Sequence, residues 1–323
     1  MAIATNDSTQ PTVLVTGGCG FIGTWVIREL RARGLSIVAY DTGTPPVRWR
    51  RILGSGFTSI PFVQGSLLDR TLLRRTIELQ GVSRIIHLAA LLTPACQQDP
   101  WEGAQVNLMG TLALFEEARR KPGRIQGFAY ASSVAVYGSE PDHSTPGGPT
   151  PENQPETFYG AFKKATELLA HQYWRHHQVA SIGIRPQVAY GPEREVGLTA
   201  GPSLAARAAA DGGIYTIPYT GQIGYDYVED VARAFVRGAL ETPSGANVVD
   251  LESSVASVED IVTALTAVVP ESRGKITIQG PSLPAYPPPI PNPISTLFPD
   301  WQSTSLTDGI RRTVEFYRKS TTT

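Results

Sequence analysis

Thr12-Val-Leu-Val-Thr16 runs straight into Gly17-Gly-Cys-Gly-Phe-Ile-Gly23. A short β-rich run ends in glycines spaced three apart, Gly17, Gly20 and Gly23, and a helical pattern then continues to Arg33. Few folds admit that order. The first glycine permits a tight turn, the second lets backbone come close to a bound group, and the third lets the helix pack on the strand. The helix start presents unpaired N–H groups and the positive end of a dipole. The stretch therefore predicts a strand–turn–helix unit built to cradle a pyrophosphate.

The alternation continues through the first half. Further strands are expected over residues 35–40, 61–64, 84–88, 127–131 and 181–185, with helices over 70–80 and 102–120. The strands are apolar throughout, as in sheets covered on both faces. Strands separated by helix-length segments predict βαβ units, hence an α/β, doubly wound parallel Rossmann-type sheet. On this reading residues 10–185 form the dinucleotide-binding domain, with 226–250 returning to it. Residues 186–225 and 251–319 form a small C-terminal substrate-binding lobe. Residues 186–225 are rich in glycine and poor in strand signals. Residues 281–293 hold seven prolines, which exclude helix and central strand and suggest an extended surface segment near the site.

Composition narrows the classes of function. A net charge of -1 gives no electrostatic reason to expect nucleic acid. No apolar run is long enough for a membrane span, and residues 1–10 are polar, without a signal-like core. The cysteines, Cys19 and Cys96, make a disulfide framework unexpected and point to the reducing cytoplasm. His143, His171, His176 and His177 lack partners at metal-ligand spacing, so no metal is expected.

Asp41 ends the second expected strand, eighteen residues after Gly23. A carboxylate there accepts hydrogen bonds from adenine-ribose hydroxyls and repels an added phosphate, which favours NAD over NADP. Arg48, Arg50 and Arg51 lie nearby and keep NADP as an alternative. Tyr159-Gly-Ala-Phe-Lys163 puts a phenol and an ammonium on one helix face. A free phenol, with a pKa of about 10, is a poor base near neutrality. A cation one turn away favours the phenolate, which can then take a proton from an alcohol. Ser133, at the end of the fifth strand, can orient the substrate oxygen, with Ser132 as its neighbour.

The chain resembles the extended short-chain dehydrogenase/reductase family, also called the NAD-dependent epimerase/dehydratase family, from about residue 12 to residue 239. The resemblance rests on Thr16 to Gly23, Gly65-Ser-Leu-Leu-Asp69, His87-Leu-Ala-Ala90, Asn107, Ser133 ahead of Val136-Tyr-Gly138, Tyr159 with Lys163, Arg185-Pro186, Tyr190-Gly-Pro192 and Asp226-Tyr-Val-Glu-Asp-Val231. It implies NAD as cofactor and Ser133, Tyr159 and Lys163 as catalytic residues. It implies cofactor contacts from Gly17, Gly20, Phe21, Ile22, Gly23 and Asp41. Leu68 and Asp69 would meet adenine, Ala89 and Ala90 would line the central section, Leu88 and Asn107 would be further cofactor contacts, and Pro186 and Val188 would lie against the nicotinamide. Lys163 would also hold the nicotinamide ribose. A homodimer through helices over 102–120 and 158–178 is implied as well.

For substrate, Thr93, Pro94, Cys96, Gln187 and Tyr190 are pocket candidates beside Ser133, with Cys96 read as a small apolar residue rather than a nucleophile. Many family members act on nucleotide-linked sugars and carry an arginine shortly before the Asp-Tyr motif. The stretch Gly221 to Asp226 has none, although Arg194, Arg207 or Arg273 can substitute. The expectation is net hydride transfer at a secondary hydroxyl of a small sugar, sugar acid or polyol. The alternative is an NAD-dependent (nucleotide-)sugar epimerase with a transient keto intermediate. A non-catalytic cofactor sensor is the remote third reading, since it need not keep all three catalytic residues.

Overall fold

Val13 and Val15 face one side of their strand and Leu14 the other, and all three are fully buried. That period-two division, repeated in each central strand, creates two apolar faces that helices must cover. The computed structural model describes residues 10–138, 154–283 and 292–320. Its strands are β1 (Thr12–Thr16), β2 (Ser36–Asp41), β3 (Phe62–Gln64), β4 (Val82–His87), β5 (Gly127–Ala131), β6 (Ser181–Arg185), β7 (Val188–Tyr190), β8 (Tyr215–Ile217), β9 (Gln222–Tyr227), β10 (Ala246–Asp250), β11 (Ser254–Ser257) and β12 (Ile276–Ile278). Its helices are α1 (Phe21–Ala32), α2 (Val47–Leu53), α3 (Arg70–Leu79), α4 (Thr93–Gln98), α5 (Pro100–Ala104), α6 (Gly110–Arg120), α7 (Phe158–His177), α8 (Gly201–Ala210), α9 (Val228–Leu240), α10 (Val258–Val268) and α11 (Leu306–Ser320).

The central sheet has seven strands in the order β10-β6-β5-β4-β1-β2-β3, every neighbouring pair parallel. The expected doubly wound sheet is thus present. Trp25 and Leu30 of α1 and Val231 and Phe235 of α9 cover one face. Leu73 of α3, Leu114 and Phe115 of α6, and Tyr173 of α7 cover the other. The chain winds outward from β1 to β3 and then returns to β4. Strand direction of winding therefore reverses between β1 and β4, and a crevice opens beyond their carboxyl ends.

The second half holds more regular structure than its sequence suggested. β7, β9 and β11 form a three-stranded sheet, β8 and β12 a parallel pair, and α8, α10 and α11 pack around them. The expected helix over 102–120 is present and carries one irregularity. A π-bulge, Gln105–Met109, joins α5 to α6. The widened turn carries Asn107, whose carboxamide pairs with Leu91 N and O at 2.8 and 2.9 Å. No helix among the described residues is long and apolar enough to cross a membrane.

Candidate functional site

Gly17 takes φ +72° directly after β1, and its N–H donates to Tyr40 O at 2.9 Å. A Cβ on Gly17 would come within 2.7 Å of Ala89 N, and one on Gly23 within 2.1 Å of Gly17 O. Both contacts are with backbone, so neither position admits a side chain without moving the turn. Gly20 precedes α1 and no side chain caps it, so the first N–H groups of α1 remain available to an anion. Asp41 ends β2. Its carboxylate accepts from Cys19 N and Gly43 N, both at 2.9 Å, which fixes it at the rim of the crevice.

The crevice encloses about 710 Å³. Gly17, Gly20, Asp41, Leu68, Leu88, Ala89 and Ala90 line it. This cradle of bare backbone, open helix start and rim carboxylate fits a dinucleotide. Phe21, Ile22 and Gly23 form the first turn of α1 behind it. Two expected contacts have other partners. Asp69 is an exposed N-cap whose Oδ1 accepts from Leu72 N at 2.9 Å, and Ser66, Leu67 and Leu68 line the crevice beside it. Asn107 is buried on Leu91 and shapes the wall from behind.

His87 braces the same wall. Thr111 Oγ1 spends its hydrogen on Asn107 O at 2.6 Å, so it accepts from His87 Nε2–H at 2.8 Å. His87 Nδ1 therefore accepts from Thr16 Oγ1 at 2.7 Å. Burial, with the Lys163 ammonium adding to it, pushes this imidazole down to about 3.

Beyond β5 the serines divide. Ser132 is buried and donates to Glu167 Oε1 at 2.6 Å. Ser133 caps the turn Val134–Val136, accepting from Ala135 N at 3.2 Å, and stays half-buried. Val134 N reaches Pro186 O at 3.4 Å, which brings the end of β6 beside Ser133. Thr157 caps α7 by accepting from Gly160 N at 3.0 Å. Lys163 Nζ lies 5.5 Å from the centre of the Tyr159 ring and donates to Ala131 O at 2.6 Å. Burial pushes its ammonium down to about 8, so it stays mainly charged near neutrality. A Cβ on Gly160 would fall 2.0 Å from Ala135 O. The glycine inside Tyr159-Gly-Ala-Phe-Lys163 is thus what lets α7 touch the Ser133 turn, a meaning its sequence position did not reveal.

The substrate candidates fare unevenly. Thr93 starts α4 and is half-buried, and Pro94 follows it. Cys96 is fully buried, with Sγ donating to Leu91 O at 3.3 Å. Gln187 and Tyr190 each make hydrogen bonds within the protein. Gln187 uses Oε1 to accept from Gly224 N at 3.0 Å, and its own N–H donates to Asp226 at 2.7 Å. Tyr190 is 1% exposed and donates to Leu306 O at 3.3 Å, towards α11. Tyr190 lies in β7, whose pairing with β9 places it opposite Tyr227. Residues 284–291 of the proline-rich segment, and His143, lie outside the described residues. No group of potential metal ligands occurs among the described residues.

Comparison with known proteins agrees with this geometry. A profile described as the NAD dependent epimerase/dehydratase family matches residues 13–249. UDP-glucuronate 4-epimerase 4 of Arabidopsis thaliana is 30% identical over 59% of this chain, which spans only 44% of that relative's length. UDP-glucose 4-epimerase of Mycolicibacterium smegmatis is 28% identical over 94% of this chain and 98% of its own. The NAD complex of Thermus thermophilus UDP-glucose 4-epimerase superposes with a TM-score of 0.75 at 25% identity, covering 95% and 99% of the two chains. L-threonine dehydrogenase of Clostridium difficile shares the fold, with a TM-score of 0.76 at 21% identity. A dinucleotide cradle, a matching profile over most of the chain and near full-length structural likeness converge: the chain belongs to the NAD-dependent epimerase/dehydratase family, whose cofactor is NAD.

Proposed function

We propose that this protein is an NAD-dependent epimerase of a nucleotide-linked sugar, inverting one carbon through a transient ketone. The observation that carries the chemistry is the Lys163 ammonium held 5.5 Å from the Tyr159 ring, against the turn that bears Ser133. Bound NAD supplies the site that accepts a hydride and gives it back. Tyr159 takes the hydroxyl proton as the carbon–hydrogen bond breaks, and Lys163 stabilises the phenolate by its charge. Ser133 donates to the reacting oxygen and holds it in line. Returning the hydride to the opposite face of the ketone, with Tyr159 restoring the proton, yields the epimer and leaves no net oxidation.

The likeness to UDP-sugar 4-epimerases over nearly the whole chain supports epimerisation over the net oxidation first expected. We also propose pairing of two copies through the outer faces of α5 to α7, where Trp101, Phe158 and Leu168 are 75%, 47% and 61% exposed. Incubating the NAD-loaded protein with UDP-galactose and with UDP-glucuronate tests the function. Proton NMR should show the C4 epimer building to equilibrium while absorbance of reduced nicotinamide stays flat. Reduced nicotinamide formed in step with a keto product would overturn epimerisation. Turnover of free sugars alone would overturn the nucleotide-linked substrate.

A further inference from the structure

Tyr159, Lys163 and Glu167 follow one another at intervals of four along α7 and so share one face of the helix. The first two belong to the proposed chemistry, and Glu167 does not. It is nevertheless 7% exposed, in a position where a carboxylate is costly unless fully paired. Its pairing is complete. Oε1 accepts from Ser132 Oγ at 2.6 Å and from Arg185 Nε at 2.7 Å, and Oε2 accepts from Arg185 Nη2 at 2.7 Å. The fork of Arg185 is planar, so this two-point contact fixes orientation as well as distance.

Each partner sits at the end of a strand that leads into the site. Ser132 immediately precedes Ser133, and its N–H also donates to Ile184 O at 2.8 Å. Arg185 ends β6 immediately before Pro186. Arg185 goes on to Tyr137, donating from Nη1 to the phenol oxygen, and Tyr137 donates to Asp250 at 3.0 Å. Asp250 in turn accepts from Asn292 N at 3.2 Å, where the chain emerges from the proline-rich segment. One carboxylate thus ties the helix of Tyr159 and Lys163 to the strand of Ser133 and to the strand before Pro186. A hydrophobic contact would hold these elements together but would not set their register.

We infer that Glu167 is a positioning residue, clamping α7 through Arg185 and Ser132 so that Tyr159 and Lys163 meet Ser133 in reactive alignment. The inference rests on the catalytic reading above. A misplacement of about 1 Å can cost on the order of a hundredfold in rate while leaving binding intact. Glu167→Gln removes the charge but keeps the shape. Glu117→Gln is the matched control. Glu117 is 5% exposed and pairs with Arg74 at 3.1 and 3.2 Å on the α3–α6 layer, and none of its bonds reaches the site.

With UDP-galactose and the NAD-loaded protein, Glu167→Gln should lower kcat roughly ten- to a hundredfold, with KM and NAD affinity changed less than threefold. Glu117→Gln should lower the melting temperature but keep kcat. Hydrogen exchange of the NAD complex gives a readout that needs no substrate. Amides of the first turns of α7 should exchange at least tenfold faster in Glu167→Gln and unchanged in Glu117→Gln. Ser132→Ala, which spares the Glu167–Arg185 pair, covers failure of Glu167→Gln to fold and should lower kcat several-fold. Equal effects of Glu167→Gln and Glu117→Gln, or a Glu167→Gln kcat above half of wild type, would overturn the clamp. Tyr159→Phe, run alongside, separates the two failures: if it stays active, the catalytic reading fails, and if it is inactive while Glu167→Gln is not, only the clamp fails.

Discussion

Mild acid should weaken this protein through one imidazole. His87 is 3% exposed and fully bonded as the neutral ring, between Thr16 and Thr111. The fold lowers its pKa from 6.5 to about 3. Between those values the unfolded chain binds a proton that the native state refuses, so stability falls as the pH drops below 6.5. At pH 5 the unfolded imidazole lies about 1.5 units below its pKa. At 1.36 kcal/mol per unit, the loss is about 2 kcal/mol. Asp226 acts in the opposite sense. Burial raises it from 3.8 to about 6, so the native state takes up that proton first, and acid stabilises through it over roughly pH 6 to 4. Wild-type stability therefore sums two opposed slopes, and the difference between wild type and His87→Gln isolates the first. Urea unfolding followed by tryptophan fluorescence at pH 7 and pH 5 should show the wild-type advantage over His87→Gln shrinking by about 2 kcal/mol. Parallel pH dependences of the two proteins would refute the burial argument for His87.

Tyr159→Phe should reduce turnover by roughly 10²–10⁴-fold while NAD affinity, read by calorimetry, stays within a few-fold; retention of half the wild-type rate would remove Tyr159 as the base. Asp41→Ala should relax the preference for NAD over NADP, and tighter NADP than NAD binding by the unmodified protein would contradict the role given to its carboxylate. Leu168→Glu, at an exposed position of α7, should convert a dimer to monomers in light scattering, whereas a wild-type monomer would dismiss the proposed pairing.

The glycine turn, the parallel strands and the Tyr159–Lys163 pair were legible because each is a local rule. Backbone clearance at Gly23 depends on Gly17 within one βα turn, and Tyr159 and Lys163 share one helix face. The choice between Ser132 and Ser133 rested on resemblance, because its physical reason is Glu167, thirty-five residues further along the chain. β7 and β8 are three residues each, too short to show a period, and α8 opens with Gly201 and Pro202, which read as loop. Gln187 and Tyr190 misled for a related reason. Tyr190 is placed by pairing of Val188 to Tyr190 with Tyr225 to Tyr227, and Gln187 by its bond from Gly224 N, both nearly forty residues away. Asp69 shows a single carboxylate serving the commoner purpose, a helix cap.

The missing arginine before Asp226 needs an answer if a nucleotide diphosphate is bound, because two phosphates in a partly closed cleft require cationic partners. Arg207 is committed: it pairs with Glu195 at 3.1 Å and lies over the Tyr317 ring. Arg194 is different. Its guanidinium donates to Ala189 O and to Thr199 Oγ1, and no carboxylate pairs with it among the described residues. The flanking Glu193 and Glu195 turn to Arg51 and Arg207 instead. Burial pushes Arg194 down to about 10, so its charge is retained at neutral pH without an ion-pair partner. Ala189 lies in β7 and Thr199 two residues before the start of α8, so the cation bridges β7 and the approach to α8. If the substrate is a UDP-sugar, Arg194→Met should weaken UDP binding to the NAD complex at least tenfold in calorimetry while NAD affinity is unchanged. Low-micromolar UDP binding that survives this substitution would remove Arg194 as the diphosphate partner. Absence of UDP binding to the unmodified NAD complex would return the substrate to a free sugar, as the stretch from Gly221 to Asp226 first suggested.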